Sequence, residues 1–351
     1  MNEKQLKIFA GVFVLLLIIA IFTRPRDASV DFDEFVKNVV IGVSKEDVSE
    51  IEIIKETGDE TKAQMIFRKD EDDTWRILTR YNCKAKKSSI DRILDDLFGM
   101  TGDVRTDDPK HFDKFQIGDL QGIHLQLKDA AEKTMVNLII GKRGEGIKTG
   151  FVRFSDKNKV YAVDKNILGS LGVYGSLDTL SEFKDKSFVD LLVVDENKDD
   201  LKQVVLSANG KEMKMQKVER EVEEMAPDST LQTKKVHEWV LVKGKREIDL
   251  DQKEVDRFFR EVAKIRVSEV VGYVGPFTDV RQYGLHKRPT HYILLTPEEG
   301  AQKNILFGKA YEKDKGHYMY LDWEKHVCKL AENNYKKIWK WINEPPKKKQ
   351  K

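Results

Sequence analysis

The feature that most constrains this chain is an internal likeness at a spacing of about 165 residues, far longer than a solenoid repeat. Ser88-Ser-Ile-Asp-Arg-Ile-Leu-Asp-Asp-Leu97 aligns with Lys253-Glu-Val-Asp-Arg-Phe-Phe-Arg-Glu-Val262. In that register Ile90, Ile93, Leu94 and Leu97 fall on Val255, Phe258, Phe259 and Val262. Both sets recur at i, i+3, i+4, i+7, which draws one apolar stripe along a helix in each half. Upstream, Trp75 falls on Trp239, and the segment from Val48 to Ile54 falls on Leu201 to Leu206. Downstream, Phe115-Gln-Ile-Gly118 falls on Tyr283-Gly-Leu-His286, and Asn137-Leu-Ile-Ile-Gly-Lys142 on Asn304-Ile-Leu-Phe-Gly-Lys309. Val160-Tyr-Ala-Val163 then falls on Val327-Cys-Lys-Leu330. So many correspondences in one order mark a tandem duplication.

Each copy reads as a strand, a second strand region with the tryptophan, a helix, a run of short strands and a closing helix. In the first copy the strands are expected near 48–55, 63–68, 74–79, 122–128, 134–140, 150–154 and 159–163. Short polar turns join them, so neighbours should pair antiparallel. The helix should pack on one sheet face, giving an α+β fold of two duplicated, mainly antiparallel lobes. Asp251 with Glu254 has capping-box spacing, and Ser88 with Asp91 is a weaker version of it. Tyr335, Ile338, Trp339 and Ile342 make a helical stripe that should close the second lobe. Two segments break the duplication: the tail Glu344 to Lys351, and Glu219 to Val236, which has only a short counterpart around Lys69 to Asp73 and reads as an extended hairpin or exposed loop with its tip near Pro227-Asp-Ser229. The expected division is an anchor at 1–27, a first lobe at 28–185, a second lobe at 186–343 carrying the 219–236 insertion, and a disordered basic tail at 344–351.

The N-terminus carries no charged residue from Ile8 to Phe22. From Leu6 to Thr23 the stretch is about 27 Å long as helix, just enough to span a bilayer core. Thr23-Arg-Pro-Arg26 offers no small-residue cleavage site, so an uncleaved signal-anchor is expected rather than a removed signal peptide. Lys4 and Lys7 precede the span and Arg24 and Arg26 follow it, which nearly balances the positive-inside count. The short leader is most simply left in the cytoplasm, placing the body outside a cytoplasmic (inner) membrane, in the periplasm.

The chain has 351 residues with 62 basic against 60 acidic side chains. Seven Lys and one Glu lie from Lys336 onward, so the remainder is slightly acidic. That balance argues against general nucleic-acid binding, which rests on a large basic excess. Two cysteines, Cys83 and Cys328, exclude a disulfide scaffold and a four-cysteine zinc site. Cys328 is expected buried and Cys83 partly exposed, in a loop.

No catalytic, cofactor-binding or metal-binding residue is assigned. Gly141-Lys-Arg-Gly-Glu-Gly146-Ile-Lys-Thr149 misses the phosphate-loop pattern by one residue and leads into a strand-like Gly150-Phe-Val-Arg-Phe154, so it reads as a hairpin turn. None of His111, His124, His237, His286, His291, His317 and His326 sits in a metal-binding helix spacing, although His291, His317 and His326 could meet on a sheet. Asp91, Asp95, Asp96 and Asp256 fall on polar helix faces. Trp75 and Trp239 read as core anchors. Gly141 and Gly308 read as turns needing positive φ, and Asn137 and Asn304 as satisfying local backbone groups.

The anchor, the tryptophan strand, the helix Ile90 to Leu97 and the turn Phe115 to Gly118 occur with Leu138 to Lys142, Phe151 to Phe154, Val160 to Val163 and Phe183-Lys-Asp-Lys-Ser187. In this combination the chain resembles the bacterial domain-of-unknown-function family 4340 over most of 1–342. The resemblance implies a membrane-anchored, extracytoplasmic protein of a kind often found beside ABC-type permeases and the gliding-motility-like auxiliary component of those transporters. It brings no catalytic or ligand residues. The expected function is a non-enzymatic auxiliary or interaction subunit with a membrane-protein partner. The alternatives are an envelope polysaccharide- or lipid-binding protein using a cleft between the lobes, and a hydrolase with an unrecognised site.

Overall fold

Two-residue periodicity builds the body. In β6 (Ile123–Lys128) buried and half-buried residues alternate without a break, the signature of a sheet with one face on a core. The structure, a computed structural model, describes residues 39–346 apart from 41, 59–60, 147–148, 226–230, 277 and 286–288. The expected anchor at 6–23 and the lysines from 347 onward lie outside the described residues. Among the described residues no helix is long and apolar enough to cross a membrane.

The first sheet comprises β1 (Glu50–Gly58), β2 (Thr61–Lys69), β3 (Trp75–Ile77), β4 (Cys83–Lys84), β5 (Gly102–Thr106), β6, β7 (Thr134–Arg143), β8 (Gly150–Phe154) and β9 (Val160–Val163). After β10 (Leu192–Asp195), the second comprises β11 (Leu201–Ala208), β12 (Lys211–Met225), β13 (Leu231–Lys243) and β14 (Arg246–Asp249). It continues, past β15 (Lys264–Arg266), with β16 (Glu269–Tyr273), β17 (His291–Pro297), β18 (Lys303–Glu312), β19 (Gly316–Leu321) and β20 (His326–Ala331). The spatial orders are β4-β3-β2-β1-β6-β7-β8-β9-β5 and β14-β13-β12-β11-β17-β18-β19-β20-β16, the same path traced twice. Even a bulge repeats: the ladder slips between Val104 and Thr106 in one copy and between Val270 and Gly272 in the other.

Each sheet buries a helix stripe. In α1 (Lys87–Phe98) Ile90, Ile93, Leu94 and Leu97 are buried. After the short turns α2 (Phe112–Phe115) and α3 (Ile167–Ser170), the same four places in α4 (Gln252–Val262) hold buried Val255, Phe258, Phe259 and Val262. Asp251 caps α4, accepting the Lys253 N–H; Glu254 does not close a box but lies beside Arg257. Ser88 is not a cap either. α1 starts one residue earlier, behind Lys86, whose N–H is taken by the Phe188 carbonyl from the connection between the lobes. The last helix, α5 (Glu332–Asn343), buries Ile338, Trp339 and Trp341, and Tyr335 and Ile342 pack against the same core. Trp75 and Trp239 are buried, the latter 4.6 Å from Phe259. One apolar cluster runs through both lobes, carried across the connection by Phe188, Val189 and Val194.

Gly141 and Gly308 do not occupy turns. They stand mid-strand in β7 and β18, and neither has a positive φ. Their need for glycine comes from the outer sheet face, where the Phe115 and Tyr283 segments cross. A Cβ on Gly141 would lie 2.3 Å from the Phe115 carbonyl oxygen, and one on Gly308 would lie 2.1 Å from that of Tyr283. Bare backbone lets the crossing segment sit directly on the sheet. The residue after each aromatic is left-handed, Gln116 at φ 50° and Gly284 at φ 68°, which turns Ile117 and Leu285 inward as buried plugs. Asn304 pairs with side chains, Asp322 and Gln302, rather than with backbone through its amide.

Candidate functional site

Among the places that gather polar groups, two stand out: the seam between the lobes and the hairpin β12–β13. The seam sets the β3–β4 end of the first sheet against the β16–β20 edge of the second. Arg76 reaches across with both guanidinium nitrogens, 2.5 and 3.3 Å from the Glu324 carboxylate, while its Nε holds Asp70 at 3.0 Å. Arg80 lies 3.1 Å from Asp185 and 3.6 Å from Glu269. His326, which is 5% exposed, is 2.8 Å from the Tyr81 carbonyl; a carbonyl only accepts, so Nε2 carries the proton. These two-pronged, charge-assisted contacts fix the register of one lobe on the other. Two adjoining pockets open along the seam. One, of about 440 Å³, is walled by Arg68, Lys69, Asn82, Tyr273, Trp323 and Lys325. The other, of about 270 Å³, lies deeper and includes Cys83, Val270, Lys303 and His326.

Cys83 is not an exposed loop residue. It belongs to β4, is 1% exposed, and burial pushes its thiol up to about 12. Cys328 is buried too, and both are free thiols. Cys83 sits at the seam, lining a pocket with Val270 and His326 of the second lobe, and no local pattern announces that.

The hairpin is the second feature. β12 stays paired to β11 up to Gln216, and β13 to β14 from Val240 onward. Beyond that point, among the described residues, the two strands pair only with each other, from Lys217↔Trp239 to Met225↔Leu231, a projection of about 30 Å. The expected tip near Pro227 lies outside the described residues. Glu219, Glu221, Glu223, Thr233, Lys235 and His237 alternate onto one face, and Val218, Arg220, Val222, Lys234 and Val236 onto the other. Lys235 holds Glu219 at 2.7 Å, and at the base Arg220 holds Asp249 at 2.7 Å.

The other singled-out residues have local partners. Gly144 to Gly150 closes a β7–β8 hairpin, as read from the sequence. Asp91 pairs with Lys87, Asp95 with Lys45, Asp256 with Lys198, and Asp96 accepts from Ser170. His291 and His317 do come together, both against Tyr335, with the His317 ring stacked on it at 3.8 Å. Burial holds both imidazoles below the ordinary histidine value. His326 stands apart at the seam, and no group of three His, Cys, Asp or Glu among the described residues could hold a metal ion. Arg76, Arg80, Glu269 and Glu324 were not singled out in the sequence. Their one visible trace is position within the Trp75 block and the strands that follow each helix.

Residues 75–244 match the family model described as Domain of unknown function (DUF4340). The matched span runs from β3 of the first sheet to the end of β13 in the second, which is one period of the duplication. Among curated proteins and among solved structures nothing matches the chain.

Proposed function

From the match of residues 75–244 to the DUF4340 family model, we propose that this chain is a non-enzymatic, membrane-anchored envelope protein that docks on a membrane-protein partner through the β12–β13 hairpin. The partner is a permease or auxiliary component of an ABC-type transport or gliding-like complex. The body lies on the extracytoplasmic side, tethered by residues 6–23. The observation that carries this reading is the hairpin itself. A two-stranded ribbon projecting about 30 Å, with neither outer edge paired among the described residues, is marginal in water, so its regular pairing is best served by a partner that completes it. Its Glu and Lys side chains keep the free edges from pairing indiscriminately. The test is co-purification of the tagged full-length chain after in-cell crosslinking, beside a variant in which 219–236 is replaced by a two-residue turn. Capture of a permease or its auxiliary subunit by the first and not the second supports docking. Equal capture by both refutes the hairpin as the contact.

A second reading places an envelope polysaccharide or lipid-linked ligand in the seam, supported by pockets that both lobes wall, with Tyr273 and Trp323 beside Arg68, Lys69 and Lys325. Saturable binding by the full-length chain, lost on Trp323→Ala without loss of folding, would favour it.

Orientation is testable as well, although not at buried Cys83. Leu120 is 75% exposed. A Leu120→Cys variant should react with a membrane-impermeant thiol reagent in intact cells whose outer barrier is permeabilised, and protection there would put the body inside.

A further inference from the structure

The two lobes carry the same row of positions across the outer face of their last three strands and fill it differently. In the second lobe Tyr318, Lys329 and Glu269 stand side by side on β19, β20 and β16. The Lys329 ammonium lies 3.0 Å from the Glu269 carboxylate and 5.5 Å from the centre of the Tyr311 ring. Tyr311 and Tyr283 both pack against Tyr318, at 5.7 and 5.1 Å. Glu269 receives further cations from the connection and the first lobe, Lys186 at 2.9 Å and Arg80 at 3.6 Å. The row is therefore an ammonium site, closed by the Glu269 carboxylate and the Tyr311 ring and occupied by the chain's own lysine.

The first lobe repeats the row without the lysine and without the Tyr311 ring, whose place is held by Gly144. Its ladder puts Phe151, Ala162 and Asp103 at the same three places, and the shared bulge after Val104 and Val270 fixes that register. Phe115 and Phe151, with ring centres 4.6 Å apart, stand where Tyr283 and Tyr318 stand. Where Lys329 extends its stem, Ala162 offers one methyl group, and Asp103 has no ion pair among the described residues. The space left is an open pocket of about 860 Å³ whose walls include Asp103, Arg105, Phe115, Phe151, Ala162 and Asp164. Glu145 also lines it, so among the described lining residues three carboxylates stand beside one guanidinium. Its size is that of a small-ligand site.

We propose that this pocket binds a primary ammonium group on an alkyl stem, paired with Asp103 as the Lys329 ammonium is paired with Glu269, and set against the Phe115–Phe151 pair in place of the Tyr311 ring. The chemistry is shared by a free alkyl diamine and by the lysine side chain of another protein. The inference does not depend on docking through the hairpin, which lies on the other lobe.

The experiment is isothermal titration of the full-length chain with 1,5-diaminopentane and with Nα-acetyl-lysine methylamide, using 1,5-pentanediol as the uncharged control. At least one amine should bind saturably with one site, and the diol should not. Asp103→Asn, which keeps the side-chain shape, should weaken binding at least about 10-fold. Ala162→Lys, which supplies the ammonium from the chain itself, should abolish it. Binding of the diamine alone identifies a small free amine as the source. Binding of the lysine amide, alone or with the diamine, identifies a lysine side chain. The proposal is overturned by no saturable binding of either amine up to about 10 mM. It is overturned equally by full affinity in Asp103→Asn or in a folded Ala162→Lys. Should Ala162→Lys not fold, the isosteric variant decides alone.

Discussion

β2–β3 and β12–β13 occupy the same place in the two sheets and end in opposite ways. The first closes at once: Asp70 accepts the N–H groups of Asp72 and Thr74 at 3.1 and 2.8 Å, and Asp73 takes a left-handed φ of 58°. The second runs on from Lys217 to Met225 before turning back. The outer-face row differs in the reverse sense, filled by Lys329 in the second lobe and emptied by Ala162 in the first. Between these departures the core is common property: the helix stripe, the tryptophan, the mid-strand glycine and the bulge all repeat. The lesson is that packing holds the shared elements alike, while the copies part in the closing helix and at these two surfaces, and the surfaces are where function should be sought.

If the copies are energetic equals, matching deletions in them should cost similar amounts. Phe258→Ala should destabilise the chain by about 3–5 kcal/mol and its counterpart Ile93→Ala by about 2–5 kcal/mol. Because the core is continuous, urea unfolding should show one transition; two transitions would break the lobes into independent units. Gly141→Ala and Gly308→Ala come next, each costing about 1–3 kcal/mol as the crossing segment is pushed off its strand, and a neutral result at either would separate the copies. Arg76→Ala should cost about 1–3 kcal/mol, since it leaves the half-buried Glu324 without its guanidinium. A double-mutant cycle of Arg76→Ala with Glu324→Ala should return about 1 kcal/mol of coupling, and zero would remove the seam from the account.

The pH response should also be unequal. Burial holds His291, His317 and His326 below their ordinary value, and all three lie in the second lobe or its seam. The unfolded chain then binds protons first, so stability should fall as pH is lowered through about 6.5 and continue falling until the folded imidazoles protonate. Urea midpoints between about pH 7.5 and 5.5 would check this, with His317→Phe flattening the slope. Glu269, held below the usual carboxylate range by Lys186 and then Lys329, contributes a separate loss below about pH 4.5. The smallest effect belongs to the hairpin. Replacing 219–236 by a tight turn should change stability by less than about 0.5 kcal/mol, because nothing in the core rests on it.

Much of the architecture was legible because duplication doubles every signal. The stripes at Ile90 and Val255, the tryptophans and the long hairpin all stand where the residue pattern puts them. What failed was whatever depends on distant pairing. The glycines of β7 and β18 looked like turn residues because their constraint comes from Phe115 and Tyr283, more than 20 residues earlier in the chain. β5 escaped notice because Gly-Asp-Val-Arg-Thr holds a single core-facing apolar residue, Val104. The Asp103 pocket was unreadable for the same reason: Ala162 opposite Lys329 is visible in the aligned copies, but only the β5–β9 register places Asp103 beside it.

The most direct test of the central claim compares the two homologous turns in living cells. A photocrosslinking residue is placed at Val222 on the projecting hairpin and, in a second strain, at Glu71 in the short turn of the first lobe. The account predicts a specific adduct with a membrane protein from position 222 and none from position 71. Equal adducts from both, or none from 222 where a known membrane complex is captured in parallel, would contradict it.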